Sequence, residues 1–270
     1  MSSDNTVKND SFINEDSACR NVLVFHKLTG SLSFGSTNYS PKRMCRLLSS
    51  LTDNGYQFVS VSELMSHNDS RNIAITFDDG YAHLAAALPP LIDRYKIKPT
   101  IFMPTSYVGK NNSWDYSSFF KSEPHLSRQQ IEYLSEIGVD FGSHGHRHVG
   151  LSSLDDKALD SELSESKNIL EEITGKPVET MSFPFGKTNS RVLAAAQKAG
   201  YKSSFTMSFP DNSDSNLAMG RVPVYFFDSP DSVMQKLGHT GLYPFHKALC
   251  RSATALSVGT VLLNKFLGRP

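Results

Sequence analysis

At 270 residues, with 39% hydrophobic and 10% aromatic content, the chain is long enough for one sizeable core, or two small domains at most. Lysine plus arginine and aspartate plus glutamate both number 27, with no block of like charge. That balance excludes a nucleic-acid footprint or an anionic-lipid surface built on net charge. Cys19, Cys45 and Cys250 are sparse, odd in number and without CxxC spacing. They exclude a disulfide framework and imply reduced thiols in a cytoplasmic setting.

Residues 1–20 open the chain with a Ser/Asn/Asp-rich stretch from Met1 to Asp16 that has no apolar h-region. It reads as a disordered segment and not as a secretory signal. Asn21–His26 is a short apolar run ending in a histidine, the first predicted strand. Ser40-Pro41 has the form of an N-cap followed by proline at N1, and Met44, Leu47, Leu48 and Leu51 follow at helical spacing up to Gly55. Gln57–Val61 reads as a strand, Ser62–Met65 as a helical turn, and Ile73–Phe77 as a buried strand. Tyr81–Tyr95 is a helical pattern that Pro89-Pro90 should kink or restart. Pro99–Met103 is the next strand, Leu126–Ile137 a helix capped by Ser127, and Val139–Gly142 a brief strand. Leu154–Thr174 is the clearest helix, with Ser153 as its expected cap and Gly175 as its stop. Glu179–Phe183, Tyr201–Met207 and Val222–Phe226 read as strands, with a helix over Ser190–Ala199 between the first two.

Strands and helices thus alternate at a spacing that implies parallel β/α units, with no internal repeat and no linker after residue 20. The expectation is one α/β domain over residues 21–250, folded as a barrel, followed by a helical tail at 251–270. The apolar stretch Ala253–Leu263 is interrupted by Ser257, Gly259 and Thr260 and falls short of the ~20 residues a membrane span needs. A helix lying on a membrane surface or packed on a partner is the reading of that tail.

In a barrel of this kind, chemistry sits at the C-terminal ends of the strands. Asp78 and Asp79 follow directly on the Ile73–Phe77 strand, and Gly80 follows them. Adjacent carboxylates resist joint ionisation unless something neutralises one of them. Either this is an Asp-Gly turn, or one acid binds a metal while the other stays free as a base. His144, His146 and His148 fall within five residues just past another strand, with Gly142 and Gly145 permitting a tight backbone. They form either a surface cluster or, through His144 and His148 four residues apart, part of a metal site with Asp79.

Thr76-Phe-Asp-Asp-Gly80, Ser143-His-Gly-His-Arg-His148 with Leu151, and Ser182-Phe-Pro-Phe-Gly186 together resemble three motifs of the polysaccharide deacetylases. This is the chitooligosaccharide and peptidoglycan deacetylase type, carbohydrate esterase family four. The resemblance runs from Val24 to about Tyr225, about three-quarters of the chain. It implies a distorted (β/α) barrel and a divalent ion, zinc or similar, on Asp79, His144 and His148. It also implies Asp78 as general base, and the backbone N–H of Phe185 as a donor to the tetrahedral oxyanion. The implied reaction removes acetyl groups from an N-acetylated sugar or polysaccharide intermediate and releases acetate. Another amide, an O-acetyl ester, or glycan binding without turnover are the alternatives on the same fold.

The sequence departs from the family pattern at two places. The arginine that opens the third motif is replaced by Ser182, and Arg221 either supplies a guanidinium instead or is a structural or solvent-exposed arginine. The late histidine that serves as general acid is not evident; His26, His239 and His246 are the candidates, each of which reads equally as a structural or surface histidine. Trp114, with Phe119 and Phe120, either forms a sugar-stacking wall or covers the core's edge, and Pro184 and Phe185 complete the expected substrate contacts.

Overall fold

Asn72–Phe77 is the strand on which the architecture is built, with all six residues buried. In the computed structural model, which describes residues 21–30, 37–67, 69–113, 123–210 and 215–238, it is the fifth of ten strands. These are β1 (Asn21–Phe25), β2 (Lys27–Leu28), β3 (Asn38–Tyr39), β4 (Gln57–Phe58), β5 (Asn72–Phe77), β6 (Thr100–Met103), β7 (Asp140–Ser143), β8 (Thr180–Ser182), β9 (Ser203–Phe205) and β10 (Val222–Pro223). The main sheet runs β10-β1-β5-β6-β7-β8-β9 with every pairing parallel, and β4 pairs beside the first residues of β5. Residues 216–221 hydrogen-bond to β9, through Ser204 N to Asn216 O (2.8 Å) and Met219 N to Ser204 O (2.9 Å), and to the residues just past it, through Thr206 N to Met219 O (2.8 Å) and Arg221 N to Ser208 O (2.8 Å), before the chain continues into β10. One segment therefore joins the two ends of the sheet, which curls into the distorted barrel expected from the sequence.

Strand alternation divides the core into two layers. Ile73, Ile75 and Phe77 face outward into a large cluster with Leu23, Phe25, Met103 and residues of the surrounding helices. Ala74 packs instead with Val22, Phe102, Phe205 and Met219 in a second, smaller cluster. Thr76 and Asp78 share the register of Ala74, so the first acid of the Asp-Asp pair is delivered to this second layer by the strand itself.

Seven helices surround the sheet among the described residues: α1 (Pro41–Asp53), α2 (Val61–Ser66), α3 (Leu84–Tyr95), α4 (Arg128–Glu136), α5 (Asp156–Thr174), α6 (Ser190–Lys198) and α7 (Pro230–Leu237). Ser40 caps α1 and Ser127 caps α4 as expected, the latter within a capping box closed by Gln130. Several expected boundaries shift where local hydrogen bonding competes with apolar pattern. Ser60 and Glu63 form a capping box that starts α2 at Val61 and ends the preceding strand early. Asp155, not Ser153, caps α5, because Leu151–Ser153 form a separate 3-10 turn. The helix α3 continues through Pro89 and Pro90 without restarting, held by buried Leu84, Leu88 and Leu91. That burial outweighs the two intrahelical bonds the prolines cannot make. β8, β9 and β10 are shorter than their apolar runs suggest, and the small sheet of β2 and β3 was not anticipated. The N-terminal segment 1–20, Trp114, Phe119, Phe120, His239, His246 and the tail at 251–270 lie outside the described residues. No helix among the described residues is long and apolar enough to cross a membrane.

The helix α7, also unanticipated, is locked to the barrel by a buried ion pair. Lys236 Nζ lies 2.6 Å from Asp228 Oδ2 with both side chains fully buried, and it also donates to Pro223 O (3.0 Å). Asp228 accepts in addition from Tyr225 N (2.8 Å) and the Ser232 hydroxyl (3.0 Å). Removing one member of such a pair strands the other charge in the core. Lys236→Met should therefore lower stability by ~3–5 kcal/mol in urea unfolding; a loss below ~1 kcal/mol would show that Asp228 needs no cation.

Candidate active site

Asp78 leaves β5 in the inward register, and its carboxylate meets a guanidinium from the residue that precedes β10, two strands away in the sheet. Arg221 Nη1 donates to Asp78 Oδ1 (2.8 Å) and Nη2 to Oδ2 (2.7 Å), a bidentate pair. Arg221 is completely buried and Asp78 nearly so. The remaining donors of Arg221 are used as well, on Thr206 O (3.1 Å), Thr76 Oγ1 (3.2 Å) and Ser182 Oγ (2.7 Å). Its guanidinium carbon lies 5.5 Å and 5.6 Å from the ring centroids of Phe102 and Phe205. These aromatic faces favour a cation and exclude water. The Ser182 hydroxyl itself donates to Asp78 Oδ2 (3.2 Å). The position where the family pattern has arginine is thus occupied by a hydroxyl that helps hold the same carboxylate, while Arg221 brings the charge from the residue just before β10.

Asp79 turns away from its neighbour because its backbone is left-handed, with φ of 69°. Gly80 continues the turn at φ +60, where a Cβ would lie 2.2 Å from Met103 Sδ. Only glycine fits there. Asp79 Oδ1 comes within 3.5 Å of His144 Nε2 and 3.4 Å of His148 Nε2. One donor atom from each of the three residues falls within 4.8 Å of the others, and all three side chains are buried. The ring of His144 is fixed from behind by Nδ1 on Ser182 O (2.8 Å), which leaves Nε2 facing Asp79. A carboxylate and two imidazoles, with one ring oriented by a backbone carbonyl, form a donor set that suits a zinc-type ion. His146 points elsewhere, with its Nδ1 2.9 Å from Thr105 Oγ1.

The electrostatics separate the two acids. Burial alone would raise the Asp78 carboxyl, but the Arg221 guanidinium, then His144 and His26, hold it below the usual carboxylate range. Asp79 is also held below that range against burial, first by its hydrogen bond with His148 and then by the charges of His26, His148 and His144. His144 is pushed down to about 4, chiefly by burial, against the opposing carboxylate of Asp78. It is therefore neutral at pH 7, as a ligand must be, and Arg221 is the cation that still acts on Asp78 there. His26, expected at the end of β1, bears electrostatically on both acids and stands on the same rim.

Phe185 completes the arrangement. It is left-handed at φ 59° inside the 3-10 turn Pro184–Gly186, and its ring meets His148 edge-on with centroids 4.8 Å apart. The hydrogen bonds of this turn run from Gly186 N to Phe183 O and from Lys187 N to Pro184 O, so neither uses the Phe185 N–H. Four non-glycine residues among those described have positive φ, and three of them are Asp79, His148 and Phe185. The fourth, Lys96, is a helix C-cap. Left-handed backbone costs such residues roughly 1–2 kcal/mol each, and its concentration here marks a site held against strain. His125 was not anticipated. It is buried opposite Tyr81, the second residue after Asp79, with the two rings stacked at 5.0 Å and its Nδ1 3.1 Å from Lys110 O.

Fold and site together define a parallel (β/α) barrel that carries an Asp-His-His cluster of metal-ligand chemistry at its C-terminal strand ends. The chain belongs to the polysaccharide deacetylase family, whose sequence model matches residues 66–204. It is 29% identical over 192 residues to the Bacillus subtilis protein YxkH, named for the same family, covering 68% of this chain and 63% of that one. The poly-β-1,6-N-acetyl-D-glucosamine N-deacetylase of Staphylococcus epidermidis is 26% identical over 165 residues, covering 56% of this chain and 55% of that one. The chain thus spans between about half and two-thirds of the length of these curated relatives. Among solved structures, BC0361, a polysaccharide deacetylase from Bacillus cereus, superposes with a TM-score of 0.69 at 25% identity, over 80% of this chain and 68% of that one. The fold is also that of the Streptococcus pyogenes deacetylase PplD, solved with acetate (TM-score 0.72, 20% identity, 82% of this chain and 99% of that one).

The buried imidazoles carry a consequence for acid stability. His125, like His144, is pushed down to about 4, mainly by burial. An unfolded histidine takes up a proton near pH 6.5, which these two refuse while folded, so stability is lost as pH falls from about 6.5 toward about 4. One such group contributes a slope of at most ~1.4 kcal/mol per pH unit. Urea unfolding of metal-free protein should show stability level above pH ~6.5 and falling by ~2 kcal/mol per unit near pH 5. A flat profile between pH 6.5 and 5 would contradict the neutral burial of these rings.

Proposed function

We propose that the chain is a divalent-metal-dependent N-deacetylase of an N-acetylglucosamine polymer. The β-1,6-linked type named for the staphylococcal relatives is the first candidate substrate. The observation that carries this reading is the division of the acid pair: Asp79 turned onto two imidazoles, Asp78 held apart by Arg221. Asp79, His144 and His148 are the proposed ligands, and two imidazoles with one carboxylate favour zinc. A divalent ion held there would supply Lewis acidity toward the acetyl carbonyl and bring the pKa of water from 15.7 toward ~7, within reach of a weakly basic carboxylate.

Asp78 is the proposed general base. The Arg221 pair keeps it ionised and fixes its two oxygens, so it takes the proton of the attacking water as the new C–O bond forms. The Phe185 N–H donates to the oxyanion that develops on the former carbonyl. His26, on the same rim as the two acids, is the candidate that protonates the amide nitrogen as the C–N bond breaks, giving acetate and a free amine. Pro184 and Phe185 border the ligand cluster and would line the acetyl pocket, and Trp114 remains a proposed sugar contact outside the described residues.

Acetate release from short β-1,6-linked N-acetylglucosamine oligomers should be abolished by a chelator and restored by zinc. No release from any N-acetylated glycan, by protein shown to hold metal, would overturn the reading. His26→Gln should lower kcat by ~10²–10⁴-fold with bound metal unchanged; wild-type kcat in that variant would remove His26 as the acid.

A further inference from the structure

The loop that carries His144 and His148 has a second anchor, a side chain outside the Asp79, His144 and His148 cluster. Glu162, on the second turn of α5, is buried although it is a carboxylate. Its Oε2 accepts from two successive backbone N–H groups, His146 N (2.8 Å) and Arg147 N (2.9 Å). Its Oε1 accepts from Arg147 Nε. Successive N–H groups of this kind make an anion-binding concavity in the backbone, and here the protein fills it with its own carboxylate. Gly145 enters that turn at φ +74 and His148 leaves it at φ 55°. The other side of the loop is pinned by Ser106 N to His146 O (2.9 Å) and Thr105 N to Gly145 O (3.3 Å).

We infer that Glu162 is a positioning residue for the metal ligands. It occupies the anion nest between His144 and His148 and holds the loop in the turn that brings both Nε2 atoms onto Asp79. The inference rests on the metal reading of Asp79, His144 and His148 and goes beyond it, because Glu162 touches none of the three in the contacts above. Without the carboxylate, the two N–H groups and the guanidinium lose their common acceptor, and the left-handed conformation at His148 has less to hold it. Glutamine keeps the shape but offers one acceptor and an amide donor where two acceptors are used.

The test is metal affinity, read by competition with a chromophoric chelator, together with the absorption spectrum of the Co²⁺-substituted protein. Wild type should take up Zn²⁺ or Co²⁺ at this site. Glu162→Gln should bind about ten- to a hundredfold more weakly, the range seen when a group supporting a metal ligand is lost, with an altered Co²⁺ spectrum. The Co²⁺ spectrum of the loaded, folded variant separates the two cases, because general destabilisation lowers apparent affinity by mass action and leaves the spectrum of the filled site as in wild type. Glu162→Asp keeps the charge but retracts it, and should show a smaller loss of affinity in the same direction. It decides the matter if the glutamine variant does not fold. Wild-type affinity and spectrum in a folded variant would overturn the role of Glu162 while leaving the metal reading intact. Failure of wild type to bind either ion would overturn the metal reading, and this inference with it.

Discussion

Everything at this site depends on the bidentate pair between Arg221 and Asp78. Two adjacent buried carboxylates repel each other, and burial alone would protonate at least one of them. The barrel resolves this by giving each acid its own partner: a fixed guanidinium for Asp78, and imidazole nitrogens for Asp79. The pair is costly to assemble, because Arg221 is fully buried and must have its donors satisfied. Thr76, Thr206 and Ser182 satisfy those that Asp78 leaves, and the rings of Phe102 and Phe205 close the place to water. The result is a charged group in a dry compartment, with its orientation set before any substrate arrives.

A second constraint is conformational. Asp79, His148 and Phe185 all sit in left-handed backbone, although none is glycine. Each is the residue at which the chain must turn sharply after a strand so that a side chain or an N–H faces the rim. The strain is carried by surroundings that are themselves rigid. Gly80 packs on Met103 behind Asp79, and the Pro184–Gly186 turn closes on itself around Phe185. For the histidine loop the anchors are Thr105, Ser106 and the carboxylate of Glu162. Site geometry is therefore a property of the loops' supports as much as of the residues in the Asp-His-His cluster.

Much of this was legible in the chain. The β-branched run before Asp78, the alternation of strand and helix, and the His144/His148 spacing follow from periodicity and ligand chemistry, which are local. Capping at Ser40 and Ser127 was legible for the same reason. What escaped was long-range. Arg221, 143 positions from Asp78, could be named as a candidate to replace the arginine missing at Ser182, but its complete burial and bidentate pairing are tertiary facts that no local pattern carries. Glu162 is hidden within an amphipathic helix, where a glutamate ordinarily reads as solvated surface. The Lys236–Asp228 pair that docks α7 is equally silent, since burial of charge depends on tertiary contacts. The one available signal for α7 was Ser229-Pro230, which repeats the Ser40-Pro41 capping pattern.

The central claim is that the neighbouring acids have separate duties, Asp79 toward the ion and Asp78 toward the proton. The most direct test is bound metal per chain in Asp78→Asn and Asp79→Asn, measured at one fixed free zinc concentration. The account predicts that Asp78→Asn holds about one ion, like wild type, while Asp79→Asn holds little or none. Loss of metal from Asp78→Asn to the level of Asp79→Asn, or full retention by both, would contradict it.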